Sequence, residues 1–79
     1  AREIYAIQLG AFGQFKNAND LSQKIESSVG IESNVVSFNK DGKSIHKVYS
    51  GNFLDKKSSQ KGLSHVQSKG FAGFVTKTN

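Results

Sequence analysis

Two stretches of the 79-residue chain share one plan. "YAIQLGAF" (Tyr5 to Phe12) and "HKVYSGNF" (His46 to Phe53) place Gly10 and Gly51 equivalently, each followed two residues later by Phe12 or Phe53. At the same offset Ala18, Leu21 and Ile25 match Ser59, Gly62 and Val66, so a loosely matching helical pattern follows each stretch. A strand–loop–helix unit cannot bury its apolar face alone, and two in tandem restrict the chain to folds in which both share one core. The expectation is one domain over residues 1–79, made of half-repeats of about 3–40 and 41–79.

"EIYAIQLG" (Glu3 to Gly10) alternates, with Tyr5, Ile7 and Leu9 on one face and Ile4, Ala6 and Gln8 on the other, which reads as a half-buried strand. "AFGQF" reads as a loop, followed by a helix with Asn17 as N-cap, Ala18, Leu21, Ile25 and Val29 at helical spacing, and Gly30 as its stop. "SNVVSFN" is a second strand, joined through the Asp-Gly turn of "KDGK" to a third, "SIHKVYSG". Asp55 opens a second helix with Ser59, Leu63 and Val66 on one face, Gly70 ends it, and "FAGFVTK" is the last strand. The order β-α-β-β-α-β predicts an α+β, ferredoxin-like (RNP-like) sandwich: a four-stranded antiparallel sheet with two helices on one face. Its other face stays open to solvent, and a binding function belongs there.

With Tyr5, Ile7 and Leu9 inward, the repeat turns His46, Val48 and Ser50 inward as well. Ile45, Lys47 and Tyr49 then point outward beside Ile4, Ala6 and Gln8. A strict two-residue turn would pair Phe38 with Ile45 and Val36 with Lys47, also outward, whereas a three-residue turn would reverse the second strand. The sequence leaves that choice open, and leaves open which side of the last strand faces the core, Phe71 with Val75 or Phe74. Gly10 and Gly51 read as backbone devices where strand turns to loop, and Phe12 and Phe53 as lids over the helix starts.

Composition narrows the chemistry. Without cysteine there is no disulfide, thiolate nucleophile or cysteine metal site. No apolar run approaches the roughly 20 residues that span a bilayer, and the chain reads as a module of a larger protein. Eleven Lys and Arg against six Asp and Glu give +5, which favours an anionic partner. His46 and His65 lie on separate elements with no carboxylate at motif spacing, and no HExxH, GxSxG or Walker A pattern occurs, so catalysis, a metal and a cofactor are not expected.

The blocks "YAIQLGAF" and "DGKSIHKVYSGNF", with Ala18-x-x-Leu21 between them, resemble the SPOR domain (sporulation-related repeat) over nearly the whole chain. Ile45 and His46 stand where that family has an aromatic pair, Lys47 where it has Arg, and Asn52 where Pro is common. The resemblance implies a non-catalytic domain that binds bacterial peptidoglycan, specifically glycan strands stripped of stem peptides at the septum. It implies a cell-envelope location, on the periplasmic or wall side of the membrane, in a cell-division or sporulation protein. It also implies a ligand surface on the open sheet face, carried onto Gln8, Ala11, Ile45, Lys47 and Tyr49. The residue chemistry suits this ligand. Removing a stem peptide leaves a lactyl carboxylate on each muramic acid, so a denuded strand is a polyanion that Lys47 can meet with a charge-assisted hydrogen bond. Gln8 offers donor and acceptor groups to N-acetyl amides, and Tyr49 can pack on a pyranose face. The domain is expected to act as a monomer.

The alternative is an RRM-like domain for single-stranded RNA, or a plain protein-interaction module. "KGFAGFV" (Lys69 to Val75) opens like the RNA-binding signature, but Gly73 interrupts it and moves Phe74 to the other face. It also falls on the last strand, whereas the signature belongs on the third. Nucleic acid is therefore not the expected partner.

Overall fold

The computed structural model describes residues 4–77, so Glu3, the expected start of the first strand, lies outside the described residues. The elements run β1 (Tyr5–Phe12), α1 (Phe15–Ser28), β2 (Ser33–Lys40), β3 (Lys43–Phe53), α2 (Lys56–Ser68) and β4 (Phe74–Lys77). The strands form one antiparallel sheet in the order β2-β3-β1-β4. This is the expected α+β, ferredoxin-like βαββαβ arrangement.

The core lies between the sheet and the helices. Ile7, Ile25 and Val66 are fully buried there with Val29, and Leu9, Leu21, Ile31, Phe53, Leu63 and Phe71 pack around them. The expected helix faces therefore hold, with Ser59 buried as expected and Ser22 added as a second buried polar member. Each keeps a hydrogen bond: Ser22 Oγ donates to Ser33 Oγ at 2.9 Å, and Ser59 Oγ to the Lys56 carbonyl at 2.6 Å. A buried hydroxyl left unpaired would instead cost about 1–3 kcal/mol.

Element boundaries depart from expectation in two places. Helix α1 begins at Phe15 with Gln14 as N-cap, one turn before Asn17, and β1 runs on to Phe12. An Asn cap is worth about 1 kcal/mol, and here tertiary contact outweighs it: the Phe15 ring stands edge-on to His46 with centroids 5.7 Å apart. Strand β4 begins at Phe74 and not at Phe71. The Phe71 and Gly70 N–H groups are already committed to the end of α2, donating to the Val66 and Gln67 carbonyls at 3.2 and 3.0 Å. That is a Schellman cap, and Phe71 supplies its apolar contact. At the start of α2, Asp55 accepts from the Ser58 N–H at 2.7 Å, as the sequence led one to expect.

Candidate functional site

Facing on the open side of the sheet is set by one turn and one bulge. In the hairpin, Asp41 and Gly42 both take positive φ (53° and 79°), and Lys40 pairs directly with Lys43. This two-residue turn, of the mirror-image kind that suits strand twist, settles the register left open by the sequence. Phe38 faces Ile45, Val36 faces Lys47 and Asn34 faces Tyr49. The alternate residues go to the helix side, where Val48 and Ser50 are fully buried. His46 goes with them, its Nδ1 2.6 Å from Ser37 Oγ.

Strand β1 lies next to β3, with Gln8 opposite Tyr49. Unbroken alternation would put Gln8 and Ala11, three residues apart, on opposite faces. The pairing shifts between Gln8 and Gly10, so that Leu9 and Gly10 together oppose Val48 and Ala11 comes to face Lys47. This bulge brings all five sequence-expected residues, Gln8, Ala11, Ile45, Lys47 and Tyr49, onto one surface. Gly10 is therefore a bulge residue inside a continuing strand and not the turn into a loop that the repeat suggested.

A second shift falls between Tyr5 and Ile7, which pair with Phe53 and Ser50. It places Gly51, with φ 78°, in the left-handed region on the β3 side. Only a residue without Cβ suits this position, because an added Cβ would also run into the Phe53 ring. Anchors beneath fix this end of the face. Ser33 Oγ donates to the Tyr49 carbonyl at 3.1 Å, while Ser50 Oγ and the Gly51 N–H both donate to the Glu32 carbonyl, at 3.2 and 2.9 Å. Above these anchors lies a shallow groove of about 310 Å³. Ala6 forms its buried floor, and Asn34, Val36, Tyr49 and Asn52 line it.

Several residues join the face that the site expectation did not include. Phe38 and Val36 are 38% and 49% exposed, and Lys47 Nζ sits 5.1 Å from the Phe38 ring centroid. Phe74 is 55% exposed and pairs with Gln8 across β1 and β4. The surface is thus a platform of aromatic, aliphatic, amide and ammonium groups, suited to packing on flat apolar faces while hydrogen-bonding their polar edges.

The residues with catalytic potential sit elsewhere. Ser37 and His46 touch on the helix side near the hairpin, and among the described residues no carboxylate bonds His46 to complete a nucleophilic triad. His65 Nε2 lies 3.2 Å from the Val29 carbonyl, tying α2 to the end of α1. Among the described residues no cluster of three or more His, Asp and Glu could hold a metal, and no helix is long and apolar enough to cross a membrane. The Asp55 carboxyl is held below its ordinary range, first by the Ser58 N–H that it accepts and then by the Ser58 side chain.

Comparison with known proteins gives a consistent picture. The SPOR domain family model matches residues 1–77. The structure is similar to the peptidoglycan binding domain of the B. subtilis cell wall lytic enzyme CwlC, with a TM-score of 0.82 and 29% identity over 100% of this chain and 94% of that one. It shares its fold with the SPOR domain of RlpA from Pseudomonas aeruginosa (TM-score 0.77, 18% identity, 96% and 97% of the two chains). The Spor protein DedD is a further fold neighbour (TM-score 0.70, 21% identity), matched over 95% of this chain and 39% of that one. No curated protein sequence matches the chain.

Proposed function

The chain belongs to the SPOR domain family, and on that premise we propose that it is a non-catalytic peptidoglycan-binding module whose open sheet face holds glycan strands lacking stem peptides. Its role is to direct a parent protein to the bacterial cell wall, at the division septum where such strands are exposed, and it acts as a monomer. The observation that carries the reading is the convergence of Gln8, Ala11, Ile45, Lys47 and Tyr49 on one uncovered face with Phe38, Val36 and Phe74. A shallow platform suits an extended polymer better than a closed pocket does, because a strand can lie along it without threading. The similarity to the CwlC peptidoglycan binding domain supports the same class of ligand. Lys47 meets lactyl carboxylates, Gln8 the acetamido groups, and Tyr49 packs against a pyranose ring.

Sedimentation of the domain with whole sacculi tests this. Amidase treatment of the sacculi should raise the bound fraction, and digestion of the glycan by a muramidase should abolish it. Equal binding to untreated and amidase-treated sacculi would sink the selectivity for denuded strands. The RNA-binding reading makes a different forecast: affinity for single-stranded RNA falling by decades over a modest rise in salt, from counterion release.

A further inference from the structure

The hairpin tip carries an arrangement that folding does not favour. Lys40 and Lys43 are direct cross-strand partners on either side of the Asp41–Gly42 turn, and like charges placed opposite one another in an antiparallel pair are destabilising. Both are exposed. Alternation along the strands puts them on the open face, in line with the Phe38–Ile45 and Val36–Lys47 pairs. Lys47 leans the same way: Val36 is its cross-strand partner, yet its ammonium lies over the ring of Phe38, one step nearer the turn. Three lysines therefore border one apolar pair. None of them, nor Asp41 in the turn, forms an ion pair among the described residues.

From this we infer that Phe38 and Ile45, with Lys40, Lys43 and Lys47, form an acidic-saccharide subsite. The apolar face of a pyranose ring lies on Phe38 and Ile45, and its carboxylate is held by the lysines of the hairpin. The inference rests on the glycan-binding reading and goes beyond it by giving the face a polarity. Charged groups of the sugar sit toward the turn, and uncharged acetamido groups sit further along β3, about 20 Å from Lys43 (six residues at about 3.3 Å each), in the groove lined by Asn34, Tyr49 and Asn52. Other occupants fit less well. Lysines without an arginine fork, beside a single ring, make a poor reader of phosphodiesters and stacked bases. A second copy of the chain would bring another +5 to the same place.

The test is a titration of the 79-residue chain with two probes: amidase-denuded glycan, and the same glycan with its lactyl carboxylates converted to neutral methylamides. The wild type should bind the carboxylate form several-fold more tightly. Lys40→Gln with Lys43→Gln should reduce that preference by a few-fold per lysine, leaving the part that Lys47 supplies, and should leave affinity for the methylamide form unchanged. Lys24→Gln and Lys61→Gln, exposed on the helices, should change neither. Relief of the cross-strand repulsion should keep the Tm of the double variant at or above that of the wild type. A preference undiminished in the double variant, equal loss for both probes, or a wild type indifferent to the carboxylate would each overturn the subsite and leave the glycan-binding reading standing. A wild type that binds neither probe would overturn both.

Discussion

The two faces of the sheet are built from alternate residues of the same strands, and they obey different rules. On the helix side Ile7, Val48 and Ser50 have no accessible surface. On the open side Val36, Phe38 and Phe74 keep between 38% and 55% of theirs, although burying such a side chain fully is worth about 1.5–3 kcal/mol. A single exposed apolar residue is ordinary. Several gathered with Gln8, Lys47 and Tyr49 on one uncovered surface are better explained by a ligand than by stability. One face specifies the fold, and the other is free to be specified by what it binds.

The largest effect expected is at Ile7, on the covered face. Ile7→Ala should lose about 2–5 kcal/mol, through lost transfer energy and the cavity left behind, read as a lower midpoint in urea unfolding. Next is Gly51, where the two faces meet at the end of the groove. Gly51→Ala forces a Cβ into the left-handed region against Phe53 and should cost more than about 1 kcal/mol. It should also weaken glycan binding, because the groove is built on that backbone. On the open face, Gln8→Ala, alone or with Tyr49→Ala, should leave stability within about 0.5 kcal/mol. Binding to denuded glycan should fall several-fold, about 0.5–1.5 kcal/mol per lost net hydrogen bond. If Gln8→Ala unfolded the domain while Ile7→Ala did not, the assignment of faces would be reversed.

The smallest effect concerns acid. Asp55 is held below its ordinary carboxylate range by the Ser58 N–H. A folded-state value below the unfolded one means that the capping contribution is complete above the ordinary range and is lost as pH falls through the lowered value. Asp55→Asn should therefore flatten the acid limb of the thermal stability profile and leave glycan binding at neutral pH unchanged. An acid limb identical in the two proteins would show that the cap does not titrate with folding.

Much of this was legible in the residues. Alternation in "YAIQLGAF" and "HKVYSGNF" assigned Ile7, Val48 and Ser50 to the core and Gln8, Lys47 and Tyr49 to solvent, because a period of two is a property of the strand itself. Asp55 and Gly70 marked α2 through local chemistry. What stayed hidden depended on contacts distant in sequence. The start of α1 is set by Phe15 against His46, two residues from different elements. Phe38 and Val36 could join the face only once the turn was known to hold two residues, a matter of parity that "KDGK" suggests without deciding. Phe74 and Asn34 carried no signal of their own, since each gains its place from a neighbouring strand.

The bulge at Leu9 and Gly10 acts on β1 as a frameshift acts on a message. Upstream of it one set of alternate residues reads inward, downstream the other set does, and the switch is what gives Phe12 to the helix side and Ala11 to the open face. Straightening the strand into plain alternation at its present length would turn every later residue over, presenting Phe12 to solvent and withdrawing Ala11. A substitution changes one contact, whereas loss of the bulge at constant length would exchange the two surfaces along the rest of the strand. At the hairpin turn, insertions in even numbers should accordingly do less harm than insertions in odd numbers, whereas loss of one of the two residues opposite Val48 should leave Ala11 and Phe12 on their present faces.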